Sequence, residues 1–384
     1  MSAPPHKILH LIDTGGPGGA ETIFLELACG LKGPRWSSLA VVPREDWLSD
    51  ALRRRGCTPI VLGGYGSFNY PYLRKLRSII VEHEIALVQT HLLGTSVYGT
   101  LAAWPRGIPV VSTFHGLPDI PPGGALVRLK RWILRRKQNH LVFVSESLRD
   151  ALKWSERPWG NPPAVIPNGV DCSVFRMGRS GALRRELGLG ENVPLLGALG
   201  NVRPSKRYDL LLEAFAQVKA RMPLAHLVVA GQAKGALYED LLGLRSALGL
   251  EGFVHFLGFR EDVPQVLQAI DLFVLSSGDE GFSLATVQAM ATGLPVVATR
   301  CGGPEEILED GVTGRLVSVD DPMSLADGIL EVLSLPDRGE ALGKAARERA
   351  VSRFSVDTMV RQYEALYRRC LGLAVAEQVG CAGS

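Results

Sequence analysis

The chain has 384 residues, of which 46% are hydrophobic and 21% charged, a globular profile that excludes an intrinsically disordered chain. A single hydrophobic core stops growing at roughly 250–300 residues, so this length predicts two domains. The 42 basic and 39 acidic side chains leave a net charge of +3, which is too balanced for a dedicated nucleic-acid-binding protein. We therefore expect no nucleic-acid partner.

The first half of the chain alternates short apolar runs with helical segments. Strands are predicted at Lys7–Ile12, Leu39–Val42, Pro59–Leu62, Ala86–Gln89, Val110–Thr113 and Leu141–Val144, and a helix at Ala20–Leu31. Strands that are separated by helices indicate βαβ units and a mostly parallel sheet.

The second half repeats this alternation. Strands are predicted at Leu195–Leu199, His226–Val229, Phe253–Phe256, Leu272–Leu275, Pro295–Ala298 and Gly314–Val317, and helices at Asp209–Arg221, Leu284–Thr292 and Val356–Leu371. Between the halves, Pro162–Asp171 contains three prolines and an Asn-Gly pair, which predicts a turn-rich crossover. We place an N-terminal domain at 1–168, a C-terminal domain at 169–355, a helix crossing back to the N-terminal domain at 356–372, and a loose tail at 373–384.

The six cysteines contain no C-x-x-C pair, which disfavours a zinc ribbon or a thioredoxin-type motif. Six cysteines in so long a chain do not make a disulfide scaffold, so a reducing cytoplasm is the simpler setting. The start shows no signal-peptide pattern, because the apolar run Ile8–Ile12 is short and is interrupted by His10. No stretch provides the roughly 20 apolar residues of a membrane span, so we expect a cytoplasmic protein, soluble or peripheral on the membrane.

A glycine-rich turn follows the first predicted strand. Gly18 and Gly19 let the backbone approach a ligand closely, and the N-terminus of the next helix favours an anion. The turn fails the dinucleotide pattern G-x-G-x-x-G, because the third glycine position falls on Glu21, and it lacks the Gly-Lys-Ser/Thr of a Walker loop. A tight turn that needs positive φ explains the glycines equally well.

Two further features follow predicted strands, where open parallel sheets bind ligands. His115 follows Val110–Thr113 and could hydrogen-bond to a sugar hydroxyl or a developing charge, although a lone histidine is more often structural. Arg203, Lys206 and Arg207 precede a predicted helix, where the helix dipole disfavours cations. An anion such as a diphosphate would account for them, and a solvated basic turn is the alternative.

The loop after Leu272–Leu275 contains Glu280, which can accept hydrogen bonds from sugar hydroxyls, and it ends at Ser283, a good helix N-cap. The unpaired N–H groups of Phe282, Ser283 and Leu284 point at the same space. On a helical wheel, Gln288 falls within an apolar stripe one turn after Leu284. A polar side chain on a buried face needs a partner, which a ligand ribose or backbone carbonyls would supply.

A last acidic pair, Glu305 and Glu306, follows Gly302, Gly303 and Pro304, where simple helix capping explains the acids best.

A basic segment, Leu126–Lys137, interleaves cations with Trp132 and could rest on anionic lipid. Its cations are poorly segregated on a wheel, which favours a solvated helix.

These motifs, in this order, resemble those of the retaining glycosyltransferases of family four, which have the GT-B fold of two Rossmann-like domains facing each other across an interdomain cleft. The stretches that carry the resemblance are GGPGGAE, TFHG, IPNGVD, GNVRPSK, DEGFSLATVQAMATGLPVVAT and GGPEEILEDGVTG, which together span about residues 10–320. The resemblance implies transfer of a sugar from a nucleotide-diphosphate donor to a carbohydrate or lipid-linked acceptor, with retention of anomeric configuration, in polysaccharide or glycolipid biosynthesis. It implies neither a metal nor another cofactor.

The resemblance also implies roles for individual residues. The catalytic set would be Glu280 at the donor sugar, His115 facing the transferred sugar and Lys206 at the diphosphate. The donor-binding set would comprise Gly18, Gly19, Arg203, Lys206, Glu280, Phe282, Ser283, Leu284, Gln288 and Glu306.

Two positions depart from the family pattern. The second acid of E-x7-E is Gln288, which leaves E-x7-Q, and the arginine that many relatives carry after Gly200 is Asn201, with Arg203 close enough to substitute. These departures keep open a catalytically silent nucleotide-sugar-binding subunit. A nucleotide-sugar epimerase on the same fold is a further alternative.

Overall fold

The structure is a computed structural model that describes residues 4–31, 33–63, 68–119, 124–152 and 161–374. The chain divides into two units: one runs to Asn168 and resumes at Val356, and the other covers Gly169–Ser355. Each unit is built on its own parallel sheet, which confirms the predicted class of two Rossmann-like domains. From residue 375 onward, the predicted loose tail lies outside the described residues.

The sheet of the N-terminal unit contains seven parallel strands in the order β3-β2-β1-β4-β5-β6-β7, counted over the described residues. Their bounds are β1 (His6–Leu11), β2 (Trp36–Val42), β3 (Ile60–Val61), β4 (Ile85–His91), β5 (Val110–Phe114), β6 (Asn139–Phe143) and β7 (Ala164–Val165). The last of these is a short strand that the sequence did not predict, within the turn-rich crossover Pro162–Asp171. Ala164 and Val165 pair with β6 at the edge of the sheet, a position that tolerates the two prolines that precede them.

Helices follow most strands of this sheet. These helices are α1 (Gly19–Gly30), α2 (Trp47–Arg54), α3 (Tyr70–Glu82), α4 (Leu93–Ala103), α5 (Ala125–Leu134) and α6 (Glu146–Ala151). Buried apolar side chains of α1, α3 and α4 pack against the strands.

The C-terminal unit carries six parallel strands within the described ranges, in the order β10-β9-β8-β11-β12-β13. They are β8 (Leu195–Leu199), β9 (His226–Ala230), β10 (Val254–Gly258), β11 (Leu272–Leu275), β12 (Val296–Thr299) and β13 (Arg315–Val317). Its helices are α7 (Ala182–Glu186), α8 (Tyr208–Arg221), α9 (Ala236–Ala247), α10 (Val263–Ala269), α11 (Leu284–Thr292), α12 (Gly303–Ile307), α13 (Pro322–Leu333) and α14 (Glu340–Arg353). Buried side chains such as Leu211, Phe215 and Ile329 close the core over the strands.

The final helix, α15 (Val356–Cys370), packs on the N-terminal sheet. The hydroxyl of Tyr367 donates to Gln89 Oε1 at 2.9 Å, the hydroxyl of Tyr363 lies 2.9 Å from Thr113 Oγ1, and both tyrosines are fully buried. Polar groups buried this deeply need such partners, so the hydroxyls fix the seat of the helix on β4 and β5. Among the described helices, none combines the length and apolar character needed to cross a bilayer.

Candidate functional site

Lys206 and Glu280 meet at the carboxyl end of the C-terminal sheet. The ammonium lies 2.5 Å from Glu280 Oε1, with side-chain exposures of 18% and 14%. Lys206 ends a short turn between β8 and α8, and Glu280 lies in the loop between β11 and α11. Parallel strands end at the same edge of a sheet, so residues 74 positions apart become neighbours.

The loop that carries Glu280 is held at several points. The Ser277 hydroxyl donates to Glu280 Oε1 at 2.8 Å, and the Glu280 N–H donates to the Cys301 carbonyl at 3.0 Å. The Gly303 N–H donates to the Glu280 carbonyl at 2.8 Å. A Cβ at Gly303 would lie 2.9 Å from the Gly281 carbonyl oxygen, so this close approach requires glycine. The carboxylate is therefore held in place before any ligand binds.

The three cations of the β8–α8 turn have different surroundings. Arg203 is exposed, and no described carboxylate forms a salt bridge with it. Arg207 is instead paired with Asp209 and Asp320, and Lys206 with Glu280, so Arg203 is the cation of this turn that has no described salt bridge. The expectation that all three cations gather around an anion stays a prediction.

The start of α11 presents backbone donors. No described residue accepts a hydrogen bond from the N–H of Phe282, Ser283 or Leu284, while Ser283 caps the helix by accepting from the Thr286 N–H at 3.3 Å. Phe282 is buried against the Phe354 ring, with centroids 5.8 Å apart, which anchors this turn. Free N–H groups at a helix start attract anions.

Gln288 is half-buried rather than part of the fully buried stripe, which corrects the helical-wheel prediction. Val287, its neighbour, is fully buried, whereas Gln288 and Leu284 share a partly open face of α11. No described residue hydrogen-bonds to the amide of Gln288, so the backbone-carbonyl explanation for this residue is wrong. The amide remains available to a ligand.

Glu305 and Glu306, at the start of α12, have different surroundings. Glu305 Oε2 accepts from the Gly302 N–H at 2.8 Å and so caps the helix, as predicted from the helix dipole. Glu306 is half-buried, and its backbone carbonyl accepts from Arg349 at 3.2 Å.

In the N-terminal unit, Gly18 and Gly19 lie at the start of α1, directly after the β1 loop. Neither has positive φ, and the same holds for Gly15 and Gly16, so the tight-turn explanation is wrong. A Cβ at Gly15 would lie 2.0 Å from Asp46 Oδ2, so this glycine admits a carboxylate rather than a left-handed backbone.

His115 and His91 form a stacked pair at the ends of β5 and β4. His115 Nε2 lies 2.9 Å from His91 Nδ1, and the ring planes are 10° apart. Burial lowers the pKa of His115 to about 4 and that of His91 well below its usual range, so both rings are neutral near pH 7. Asp119 fixes the backbone here, accepting from the N–H groups of His115 at 2.5 Å and Gly116 at 3.0 Å.

Three carboxylates gather near the glycine loop. A cavity of about 430 Å³ is lined by Asp13, Thr14, Gly15, Gly16, Glu21, Pro43 and Arg44. Burial, together with the charges of Asp119 and Glu21, raises the pKa of Asp13 to about 6, although a backbone hydrogen bond and the charge of Lys130 act in the opposite direction. Burial likewise raises the pKa of Asp119 to about 6, and Glu21 adds to the effect. This region of the unit is electronegative.

Comparison with known proteins identifies the chain. A family model described as Glycosyltransferase Family 4 matches residues 17–174, and one described as Glycosyl transferases group 1 matches residues 180–349. The D-inositol 3-phosphate glycosyltransferase of Segniliparus rotundus is 34% identical over 76% of this chain and 68% of its own length. The chain belongs to glycosyltransferase family 4.

Two further relatives agree with this assignment. The N-acetyl-alpha-D-glucosaminyl L-malate synthase of Bacillus anthracis is 29% identical to this chain, over 80% of this chain and 82% of the relative. Anabaena HepE, solved in complex with UDP and glucose, is 26% identical with a TM-score of 0.84, over 95% of this chain and 100% of that one. The predicted GT-B fold class is confirmed.

Sequence reasoning missed Asp13, Asp119 and His91 in this glycosyltransferase. Asp13 lies two residues beyond β1, His91 ends β4, and Asp119 lies five residues beyond β5. Their position at the carboxyl ends of parallel strands was the available signal. Within the C-terminal unit, the structure brings Lys206 and Glu280, both predicted site residues, into contact.

The basic helix of the glycosyltransferase differs from its prediction. It ends at Leu134 rather than Lys137, and its outward face is apolar: Leu126, Leu129 and Trp132 are 63%, 52% and 55% exposed. The guanidinium of Arg136 lies 4.4 Å from the centroid of the Trp132 ring. Ile133 and Leu134 supply the buried contacts of α5, so its solvent-exposed residues include large apolar side chains as well as cations.

Proposed function

We propose that this glycosyltransferase moves a sugar from a nucleotide-diphosphate donor to a saccharide or lipid-linked acceptor, with retention of anomeric configuration. The observation that carries the proposal is the contact between Lys206 and Glu280 beside the unpaired amides of α11. A cation, a carboxylate and free N–H donors suit the two ends of a sugar diphosphate. Phosphate oxygens need positive charge and N–H donors, and sugar hydroxyls need an acceptor.

The donor diphosphate lies, in this proposal, between Lys206, Arg203 and the N–H groups at the start of α11. As the bond from the anomeric carbon to the phosphate oxygen breaks, negative charge grows on the diphosphate, and these fixed donors stabilise it. Their charge serves in place of a metal ion. Glu280 cannot bind phosphate because it repels it, so it accepts from hydroxyls of the transferred sugar.

Retention follows from same-face attack. The acceptor oxygen forms its bond to the anomeric carbon on the face that the phosphate leaves, and its proton passes to an oxygen of the leaving phosphate. His115 contributes as a neutral hydrogen-bonding group to the sugar, since burial keeps its pKa at about 4. Neither His115 nor Glu280 is assigned as nucleophile or general base.

A UDP-sugar is the donor that we propose first, because HepE was crystallised with UDP and glucose. Gln288 and Glu306 are the proposed contacts of the ribose or its neighbouring groups. An amide donates as well as accepts, so Gln288 can still bind two adjacent ribose hydroxyls.

The acceptor is, we infer, uncharged or cationic. Asp13, Glu21 and Asp119 surround the glycine loop with negative charge, opposed at Asp13 by Lys130. Carboxylates hydrogen-bond well to hydroxyl or ammonium groups and repel anions. The relatives' names point to malate and inositol phosphate, which are anions, so this chain would differ from them in acceptor charge.

Peripheral membrane contact is also proposed, through the α5 face formed by Leu126, Leu129 and Trp132. Exposed cations flank it at Arg128 and Arg135, which suits an anionic lipid surface. The test is co-sedimentation with phosphatidylglycerol and phosphatidylcholine vesicles. Trp132→Ser should reduce binding to the anionic vesicles, and Leu224→Ser, at an exposed leucine of the other unit, should not. Equal binding by all three proteins would contradict the proposal.

Two measurements test the activity. Calorimetry with UDP-, GDP- and ADP-sugars identifies the donor, and nucleotide release with a panel of neutral, amino and anionic acceptors measures transfer. Transfer to neutral or amino sugars with an unchanged anomeric configuration supports the proposal. Comparable transfer to malate or inositol phosphate would contradict only the inference about acceptor charge.

One alternative has a specific observation in its favour. Gln288 and Asn201 replace residues that the family usually carries, which suits a silent nucleotide-sugar-binding subunit. Binding of a donor without turnover in any acceptor extract would favour that subunit. Donor consumption that releases free sugar without an acceptor would favour an epimerase.

A further inference from the structure

Two cysteines from separate elements of the N-terminal unit lie side by side. Cys29 is in the last turn of α1, and Cys57 follows the turn that ends α2. Their sulfur atoms are 2.9 Å apart, and both residues are partly exposed.

A side-chain ion pair already holds the two elements together. Arg55 forms two hydrogen bonds of 2.7 Å with the carboxylate of Glu26, which joins the turn after α2 to α1. The Cys57 N–H donates to the Leu52 carbonyl at 2.9 Å. A disulfide requires sulfurs about 2.05 Å apart, so closure needs the two side chains to approach by about 0.9 Å in total.

We propose that Cys29 and Cys57 form a reversible intramolecular disulfide when the protein meets a disulfide oxidant such as oxidised glutathione. The Cys57 thiolate attacks one sulfur of oxidised glutathione, which forms a mixed disulfide between Cys57 and glutathione and releases one glutathione thiolate. The Cys29 sulfur then loses its proton and attacks Cys57 Sγ, which expels the second glutathione. Two S–H bonds are lost, one S–S bond forms, and the two electrons reduce the oxidant to two thiols.

The assignment of the first step to Cys57 follows from the environment of its partner. Burial, followed by the hydrogen bond to Cys57, raises the pKa of Cys29 to about 12, so Cys29 is a thiol at neutral pH. A thiol is a poor nucleophile compared with its thiolate.

The bond would join the far ends of two helices that begin at the glycine loop. Gly18 is the N-cap of α1. Asp46, the N-cap of α2, packs on Gly15, and the Leu48 N–H donates to the Gly15 carbonyl at 3.0 Å. A link across 28 residues restricts the unfolded chain. We expect a rise in Tm of about 5–10 °C for the N-terminal unit.

The experiment incubates the full chain with oxidised glutathione or with dithiothreitol, then alkylates free thiols and maps peptides by mass spectrometry. The expected result is a linked peptide containing Cys29 and Cys57, two fewer alkylated thiols than the six of the reduced chain, and the higher Tm. Cys57→Ser should abolish both effects, and Cys172→Ser should keep them.

Glutathione adducts on either cysteine without a linked peptide would overturn the proposal, as would a linked peptide with other partners. An unchanged Tm in the linked protein would overturn the effect on stability. These readouts are independent of sugar transfer, so they stand or fall apart from the proposed function.

Discussion

Replacing Lys206 by Met removes the cation that faces Glu280 while keeping most of the side-chain volume. Lys206 and Glu280 are largely buried, at 18% and 14% exposure, and their charged atoms are 2.5 Å apart. Losing one partner of a buried ion pair costs about 3–5 kcal/mol, and partial exposure reduces this to about 2 kcal/mol here. For a unit of this size, we expect Tm to fall by about 4–8 °C.

The catalytic effect should be larger than the loss of stability. Removing one preorganised donor from a site of developing negative charge lowers kcat by about 10²–10³-fold. The Lys206→Met/Glu280→Gln double variant has no unpaired charge, so it should regain stability relative to Lys206→Met without regaining activity. Lys344→Met makes the same substitution at an exposed lysine of α14 and serves as the matched control.

The assay measures nucleotide release at saturating donor, together with thermal unfolding, for all four proteins. A Lys206→Met variant that retains activity within about threefold of the parent would refute the assignment of this lysine to the diphosphate. Recovery of activity in the double variant would show instead that the cation serves only to neutralise Glu280.

Three further predictions address single residues. Gln288→Glu should tighten UDP binding by about 3–10-fold in calorimetry, because charge-assisted hydrogen bonds to ribose are stronger than neutral ones, and unchanged affinity would exclude a ribose contact. Burial lowers the pKa of His115 to about 4. Below pH 6.5 the unfolded state therefore binds a proton that the folded state does not bind, and the free energy of unfolding decreases as the pH decreases. Between pH 6.5 and 5, urea unfolding should show His115→Asn losing about 2 kcal/mol less than the parent, and equal losses would contradict the buried neutral ring. Burial raises the pKa of Asp119 to about 6, so its charge destabilises the fold above that pH. The free energy of unfolding of Asp119→Asn should therefore exceed that of the parent by up to about 3 kcal/mol at pH 7.5 and by nothing at pH 4. A loss of stability at pH 7.5 would contradict this.

Much of the fold followed from local patterns in the chain. Apolar runs located most strands within one or two residues, because a strand buried on both faces reads as a short apolar segment whatever its neighbours are. The two-residue strand Ala164–Val165 escaped notice, since so short an edge strand exists only through its pairing with β6. Lys206 and Glu280 stood out because each follows a strand at the ligand-binding edge of a parallel sheet.

Tertiary structure decided which of these groups meet and which face the solvent. Cys29 and Cys57, and Asp13 and Asp119, lie far apart in sequence. The packing of α1 beside α2 brings the two cysteines together, and the order of the strands brings the two aspartates to one edge of the sheet. A helical wheel orders the residues around α5 but does not say which side a neighbouring element covers, so the exposure of Trp132 could not be read from it. Periodicity is a property of a segment, whereas contact depends on everything that packs against that segment.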